Sequence, residues 1–165
     1  MQLWDAYRRD GSRGGIDLTP GEPIPEDLYH AVVEVTVRHR DGSFLLVRRA
    51  EEDQIYPNQW LPGTVGDVVK DETFAMAARR QLHSDTSIES IQVEPMYRVL
   101  DHETNTLYVG FLHTTGAVKD SLTLKDGVVA EYQWVTPADL RKTAKSGQFP
   151  QELLQRLIPY LRRLS

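Results

Sequence analysis

The segment spanning residues 60–88 constrains the fold of this 165-residue chain more than any other part of its sequence. It has the pattern of a strand, a loop, a helix and a turn. Thr73 can cap a helix that runs to about Asp85, because a threonine oxygen accepts a hydrogen bond from a free N–H of the first helical turn. Gly66 precedes this helix and supplies the backbone freedom that a loop requires. The segment therefore predicts a helix that follows a strand after a short loop and packs on a sheet.

The rest of the sequence predicts more strands than helices. Val33, Val35 and Val37 alternate with polar residues, and a period of two predicts a strand with one buried face. Asp41-Gly42 predicts a hairpin turn after this strand. Further strands are expected over residues 43–50, 97–100, 107–112 and 132–135. This order of elements predicts a mixed sheet that is covered by a few helices.

Two more helices are predicted near the C-terminus. Thr136, followed by a proline, has the features of a helix start, and Gly147 is a natural stop. The second helix begins at Gln151 and is amphipathic, and Pro159 is expected to kink or shorten it. At the other end, Leu3-Trp4 is expected to form a short strand or an anchor, and residues 8–15 are expected to form a loop.

Composition and charge limit the classes of protein to which the chain can belong. The net charge is −5 and the pI is near 5.5, which argues against binding to a nucleic acid polymer or a membrane surface through bulk charge. The absence of cysteine excludes disulfides, thiolate metal sites and a cysteine nucleophile. Residues 1–26 form a lead-in, and no linker divides the chain. We therefore expect a single cytoplasmic domain over residues 1–165.

Five residues of the segment at 60–88 have a characteristic spacing: Gly66, Glu72, Arg80, Leu82 and Ile88. Their pattern resembles the Nudix box, the signature of the Nudix hydrolase superfamily. That box consists of glycine, five residues, glutamate, seven residues, arginine-glutamate, an aliphatic residue, any residue, two glutamates, any residue, glycine and an aliphatic residue. The five residues occupy the corresponding positions of the box.

The flanking sequence extends the resemblance over most of the chain. Residues 43–50 and 56–60 are similar to the strand and loop that precede the box, and residues 133–140 to a strand-to-helix step near the C-terminus. Residues 3–5 and 21–23 resemble a branch allied to isopentenyl-diphosphate isomerase. The resemblance implies a Nudix-type α/β/α sandwich with a mixed β-sheet.

The resemblance also implies a reaction and a cofactor. Members of the superfamily hydrolyse a diphosphate-containing metabolite, usually one linked to a nucleoside, and they use Mg²⁺ or Mn²⁺ to offset the phosphate charge and to activate water. The expected partner is therefore a small-molecule diphosphate. An isomerase function is disfavoured, because the isomerase of the allied branch uses a catalytic cysteine and this chain has none.

Three box positions depart from the pattern where the resemblance places metal-binding carboxylates. Gln81 replaces the glutamate after the arginine, and Ser84 and Asp85 replace the pair of glutamates. An amide and a hydroxyl offer neutral oxygens, but they lack the charge that a hard divalent cation prefers. Helical periodicity predicts that these three positions lie along one edge of the face that packs on the sheet. That face is predicted to consist of Phe74, Ala75, Ala78 and Leu82.

The resemblance implies that Glu72 and Asp85 are the catalytic residues and metal ligands. A carboxylate from a loop outside the box, such as Glu103 in the predicted turn of the second hairpin, could complete the site. The residues themselves leave other interpretations open. Glu72 can instead be a carboxylate that stabilises the helix N-terminus, and Asp85 can be a solvated residue at the helix end.

Arg49 and Trp60 are the candidate substrate-binding residues. Arg48 and Arg49 point to opposite faces of a strand, so one of them can face a phosphate, and the other interpretation is a solvated arginine. Trp60 is either a pocket wall or part of the core. Arg80 is expected to tie the loop to the helix. The structural residues of the box are expected to be Gly66, Arg80, Gln81 and Ser84.

Two functions remain open at this stage. The first is a metal-dependent Nudix hydrolase that is weakened by the substitutions in the box. The alternative is a Nudix-fold binding module that has lost catalysis and keeps a nucleotide pocket. The amphipathic C-terminal helix or the N-terminal segment could also support a homodimer.

Overall fold

The structure, a computed structural model, describes residues 1–164 of the chain. The strands in that range are β1 (Trp4–Tyr7), β2 (Arg13–Leu18), β3 (His30–His39), β4 (Phe44–Arg49), β5 (Trp60–Leu61), β6 (Gly63–Asp67), β7 (Glu94–Asp101), β8 (Thr106–Thr115) and β9 (Val129–Val135). The helices are α1 (Phe74–Thr86), α2 (Pro137–Lys145) and α3 (Gln151–Leu164).

The larger of two sheets has mixed strand directions, as predicted. Its central order is β5-β4-β3-β8-β7, while β6 pairs with β3 and β9 pairs with β4. β3 and β8 run parallel over their full lengths, and the other pairs are antiparallel. β1 and β2 form a separate antiparallel hairpin.

Helices cover both faces of the mixed sheet, and the residues of β4 show this arrangement. Leu45 and Val47 belong to the apolar cluster that includes α1 residues, whereas Phe44 and Leu46 belong to the cluster of α2 and α3. Because successive side chains of a strand point to opposite faces, α1 lies on one face and α2 and α3 lie on the other. The result is an α/β/α sandwich, which confirms the expected fold class.

The predicted helix boundaries depend on two threonine caps. Thr73 accepts a hydrogen bond from the Met76 N–H (3.1 Å), and Thr136 accepts one from the Asp139 N–H (3.1 Å). Gly147 follows the end of α2 with a φ of 86°, a value that suits glycine. The starts of α1 and α2 and the stop after α2 are therefore confirmed.

Pro159 does not shorten α3, which continues through it to Leu164. Proline removes the N–H that would bond to the carbonyl of Gln155. Both residues are exposed, so water can satisfy this carbonyl. The helix is held instead by its buried apolar stripe, which consists of Leu153, Leu154, Leu157 and Leu161.

The N-terminal lead-in forms a hairpin that contacts the loop before α1. The strand expected near Trp4 is present, but β2 begins at Arg13, within the segment that was expected to be a loop. The Lys70 N–H donates to the carbonyl of Leu3 (2.9 Å), and the Asp71 N–H donates to Asp5 Oδ2 (2.8 Å). The hairpin thereby fixes the backbone that leads into the box helix.

The prediction that β3 has one buried face is wrong, because α3 covers the second face. Glu34 and Thr36, on that second face, are each only 3% exposed. Glu34 accepts two hydrogen bonds from the Arg156 guanidinium, both at 2.7 Å, and one from the Tyr97 hydroxyl at 2.9 Å. A buried ion pair therefore joins the centre of the sheet to the C-terminal helix.

We expect Arg156→Met to destabilise the fold by about 3–5 kcal/mol, because it leaves the Glu34 carboxylate buried without its counter-ion. Urea unfolding would measure the loss. Lys70→Met is the matched control, since it removes an exposed ion pair with Asp17 and should cost about 1 kcal/mol or less. Equal stabilities for the two variants would contradict this assignment.

Candidate active site

The packing face of α1 differs in part from the predicted one. Ala78 and Leu82 are buried as predicted, but Phe74 is only partly buried and Ala75 is exposed. The prediction for Ala75 is wrong, because the buried stripe is displaced toward the side of Asp85. Asp85 is itself buried, and two of its three hydrogen-bond partners, Arg49 and Thr64, lie on the sheet.

Glu72 ties the loop before α1 to the helix. Its two carboxylate oxygens accept hydrogen bonds from Arg80 Nε (2.7 Å) and Nη2 (3.0 Å), and Oε1 also accepts from the Val69 N–H (3.0 Å). Arg80 Nη2 donates in addition to the carbonyl of Asp67 (2.8 Å). The hydrogen bond with Glu72 raises the pKa of Arg80. The Glu72 carboxylate is therefore paired with an arginine and bonded to the backbone of the loop.

Asp85 is 1% exposed and accepts three hydrogen bonds. Oδ2 accepts from Arg49 Nη1 (3.3 Å) and from the Thr64 hydroxyl, and Oδ1 accepts from Gln81 Nε2 (3.0 Å). These donors come from β4, from β6 and from the preceding turn of α1. The one carboxylate that remains at the three altered box positions thus faces protein donors rather than solvent.

Arg49 is the cation of this buried group and is 2% exposed. It lies on the α1 face of β4, and its Nη2 also donates to Asp53 Oδ2 (2.7 Å). Its Nε–H is buried and has no hydrogen-bond partner among the described residues. We call Arg49, Asp53, Thr64, Gln81 and Asp85 the buried ionic cluster. The cluster contains one guanidinium and two carboxylates, so the formal charge of the cluster is −1.

The other box residues occupy different environments. Ser84 is exposed, whereas Gln81, one turn earlier on α1, is partly buried. A Cβ atom at Gly66 would overlap the side-chain amide of Gln81, so only glycine allows this close approach of strand and helix.

The two remaining candidates lie apart from the buried ionic cluster. Trp60 is partly buried and packs against the apolar cluster of α2 and α3. Glu103 is exposed in the turn between β7 and β8, where its N–H donates to Asp101 Oδ1 (2.9 Å).

The described residues do not fit the divalent cation that the resemblance implies. Within residues 1–164, no group of three or more His, Cys, Asp or Glu side chains is arranged to hold a metal ion. Glu72 and Asp85 are each paired with an arginine, and Glu103 lines a separate cavity. A hard cation needs several free oxygen ligands, preferably charged ones. Glu72 and Asp85 are bonded to arginines instead, so they are not free oxygen ligands for a cation.

A cavity of about 590 Å³ lies between the β7–β8 hairpin and α3. Its volume is within the range of small-molecule pockets in proteins. The Arg156 guanidinium lies 3.6 Å from the centroid of the Tyr108 ring, which gives the cavity a rigid wall. The lining combines aromatic, basic and acidic groups, including Tyr108, Tyr160, Arg98, Arg156, Asp101 and Glu103.

The tyrosines of this cavity are hydrogen-bond donors at neutral pH. Burial raises the pKa of Tyr108 to about 12. Burial also raises the pKa of Tyr97, and the nearby negative charge of Glu34 raises it further. Tyr108 therefore offers a neutral ring and a hydroxyl donor to a ligand, whereas the Tyr97 hydroxyl is already donated to Glu34.

Among the described residues, no helix is long and apolar enough to cross a membrane.

Comparison with known proteins identifies the family. The model of the NUDIX domain matches residues 28–157. The chain is also 25% identical over 150 residues to an uncharacterized Nudix hydrolase of Listeria monocytogenes, a match that covers 90% of this chain and 88% of the relative. The protein therefore belongs to the NUDIX domain family, a class of hydrolases that generally use divalent metals.

Solved structures show the same fold at low sequence identity. A Deinococcus radiodurans protein has a TM-score of 0.74 at 18% identity and covers 99% of each chain. The NUDIX domain of Shewanella oneidensis NrtR, complexed with ADP ribose, has a TM-score of 0.64 at 18% identity and covers 89% of this chain and 94% of its own. A bifunctional NMN adenylyltransferase/ADP ribose pyrophosphatase of Francisella tularensis, complexed with AMP and a Mn ion, has a TM-score of 0.61 at 17% identity. It covers 89% of this chain and 44% of its own.

Sequence reasoning missed the partners of Asp85. Arg49 was considered only as a phosphate ligand or a solvated side chain, and Asp53 and Thr64 were not considered. The sequence does contain a sign that Arg49 is buried. Arg49 follows the apolar residues Leu45 and Val47 at a spacing of two, so it shares their buried face.

We expect Asp85→Asn to lower the stability by about 1–3 kcal/mol, because the amide has one acceptor oxygen in place of two and leaves at least one of the buried donors of Arg49, Thr64 and Gln81 without an acceptor. Ser84→Ala on the same helix is the matched control and should change stability by about 0.5 kcal/mol or less, since Ser84 is exposed. Urea unfolding of both variants would measure this difference. A solvated metal-binding carboxylate would give the opposite result, with Asp85→Asn neutral or stabilising.

Proposed function

We propose that this protein binds a nucleoside-diphosphate-linked metabolite and does not hydrolyse it through a metal site at the box. The observation that carries the proposal is the burial of Asp85 beneath Arg49, with Thr64 and Gln81 as further donors. A carboxylate in that environment has no free oxygen aimed at a solvated cation. The binding module, rather than the metal-dependent hydrolase, is therefore the function that the site supports best.

The cavity beside α3 supports the binding part of the proposal. A purine base can stack on an aromatic wall, and the cavity offers Tyr108 and Tyr160 for that contact. Asp101 and Glu103 can accept hydrogen bonds from ribose hydroxyls. Arg156, whose guanidinium stacks on Tyr108 and also lines the cavity, is a cation for the diphosphate.

ADP-ribose is the ligand class that the comparisons favour. The Shewanella NUDIX domain is complexed with ADP ribose, and the Francisella protein is named an ADP ribose pyrophosphatase. Both share the fold with this chain. ADP-ribose combines a base, two riboses and a diphosphate, and the cavity offers a matching group for each of these three chemistries.

We expect ADP-ribose to bind equally well in EDTA and in Mg²⁺, within about twofold, and to remain intact after prolonged incubation. Isothermal calorimetry would measure the affinity, and chromatography of the nucleotide would measure turnover. Cleavage that requires Mg²⁺ and that is lost in Asp85→Asn would contradict the proposal and favour the weakened hydrolase.

Tyr160→Ala should weaken ADP-ribose binding by about 5- to 150-fold, which corresponds to the loss of one base–aromatic contact worth about 1–3 kcal/mol. Ile158→Ala is the matched control, because Ile158 is exposed on the same helix and does not line the cavity. Equal affinities for the two variants, measured by the same calorimetry, would place the ligand elsewhere.

A further inference from the structure

We propose that a second, smaller cavity beside Tyr160 is an anion subsite, and that the preferred ligand carries a phosphomonoester on its adenosine ribose. This cavity has a volume of about 270 Å³. Its lining includes Arg38, Glu94, Met96, Leu112, Tyr160 and Arg163. The inference rests on the proposed binding function, because it takes Tyr160 as the residue on which the base stacks.

The smaller cavity continues the groove that begins at the larger cavity beside α3. Strand β7 contributes residues 97–101 to the larger cavity and residues 94–96 to the smaller one. Helix α3 lines the larger cavity with residues between 152 and 160, and it lines the smaller one with residues 160 and 163. Tyr160 borders both cavities. A ligand that stacks on its ring can therefore extend from one cavity into the other.

Arg38 brings positive charge to the smaller cavity from the centre of the sheet. It follows Glu34 and Thr36 along β3 at a spacing of two, so it lies on the face of the sheet that α3 covers. Arg38 is partly buried, and its Nη2 donates to the Thr114 hydroxyl (3.2 Å). Within the part of the chain that the structure describes, this neutral hydroxyl is its partner, and no ion pair offsets its charge.

Arg163 supplies a second cation from the last turn of α3. It is exposed, and its guanidinium carbon lies 5.6 Å from the centroid of the Tyr160 ring. A cation in the last turn of a helix is favourable whatever it contacts, because it offsets the partial negative charge of that end. The dipole does not explain why this cation lies over the ring that the two cavities share.

The two cavities differ in charge. The lining of the larger cavity has three acidic and two basic residues. The lining of the smaller cavity has two arginines and one acidic residue, the exposed Glu94, so its formal charge is +1. Two guanidinium groups that line one small cavity repel each other, and an anion that contacts both removes this repulsion.

The order of groups along the groove matches the order of groups in a phosphorylated ADP-ribose. The acidic residues of the β7–β8 turn come first, then Arg156, then Tyr160, and the pair of Arg38 and Arg163 comes last. With the diphosphate at Arg156 and the base at Tyr160, the arginine pair lies on the adenosine side of the ligand. A phosphomonoester on the 2′ or 3′ hydroxyl of that ribose carries about 1.5 to 2 negative charges at neutral pH and suits the fork of a guanidinium.

The test compares ADP-ribose with ADP-ribose 2′-phosphate by isothermal calorimetry. The wild-type protein should bind the phosphorylated ligand about 10- to 150-fold more tightly, which is the factor that one hydrogen bond to a charged group contributes. The double variant Arg38→Met/Arg163→Met should bind the two ligands with affinities that agree within about twofold, because no cation remains for the additional phosphate.

Three further variants separate a specific subsite from a general effect of charge. Lys145→Met removes an exposed cation from the last turn of α2, away from the groove, and should keep the full preference. Arg163→Met changes an exposed side chain, so it should fold normally and still lose part of the preference. Arg38→Lys keeps the charge but not the planar fork, and its preference should lie between those of the wild-type protein and Arg38→Met.

A second set of ligands identifies the phosphorylated hydroxyl. Adenosine 2′,5′-bisphosphate and adenosine 3′,5′-bisphosphate are each compared with AMP, and the isomer that gains affinity through Arg163 marks the position that the subsite accepts. Two results would overturn the proposal: no gain in wild-type affinity from either phosphate, or a gain that the double variant retains. If the double variant does not fold, Arg163→Met decides in the same comparison.

These ligands also distinguish a failure of the subsite from a failure of the proposed function. If ADP-ribose binds and no additional phosphate improves its binding, only the anion subsite is refuted. If a bisphosphate binds more tightly than AMP in an Arg163-dependent way and ADP-ribose does not bind, the subsite stands and ADP-ribose is refuted as the ligand.

Discussion

The ion pair between Arg49 and Asp85 is the interaction on which the rest of this account depends. It joins β4 to the box helix, and through Asp53 it also holds the loop that follows β4. The remaining carboxylate of the altered box positions is committed to this contact. This group is costly to break, since loss of Arg49 would leave two carboxylates in the protein interior without a counter-ion. Asp85 can either bind a metal ion or join the box helix to the sheet. In this structure it joins the helix to the sheet.

The same physical pattern recurs on the other face of the sheet. Arg156 neutralises the buried Glu34 and stacks on Tyr108, so α3 is fixed against β3 and β8 by charge as well as by apolar contact. The cavity between α3 and the β7–β8 hairpin is therefore bounded by a wall that is rigid before any ligand arrives. A preorganised wall lowers the cost of binding, because fewer side chains must be ordered. The proposed binding without catalysis rests on this pocket on one face of the sheet and on the arginine-paired carboxylates of the box on the other.

Much of the fold could be predicted from local sequence signals. Thr73 and Thr136 as caps and the mixed sheet each depend on short-range patterns, and the structure agrees with them. The α/β/α class was implied by the resemblance to the Nudix superfamily, and the structure agrees with it as well. The errors occurred where distant contacts decide. Ala75 is exposed because the helix turns Asp85 toward Arg49, and the second face of β3 is buried because Glu34 meets a helix 122 residues away. Spacing along the chain identifies the candidate carboxylates, but their partners are determined by tertiary packing.

The most direct test of the central claim is a titration of the metal-stripped wild-type protein with Mn²⁺ by calorimetry, repeated with a non-hydrolysable nucleoside diphosphate analogue. We expect no Mn²⁺ binding at the box in either titration, because Glu72 and Asp85 are each paired with an arginine. Micromolar Mn²⁺ binding that disappears in Asp85→Ala would contradict it and would assign Asp85 as a metal ligand.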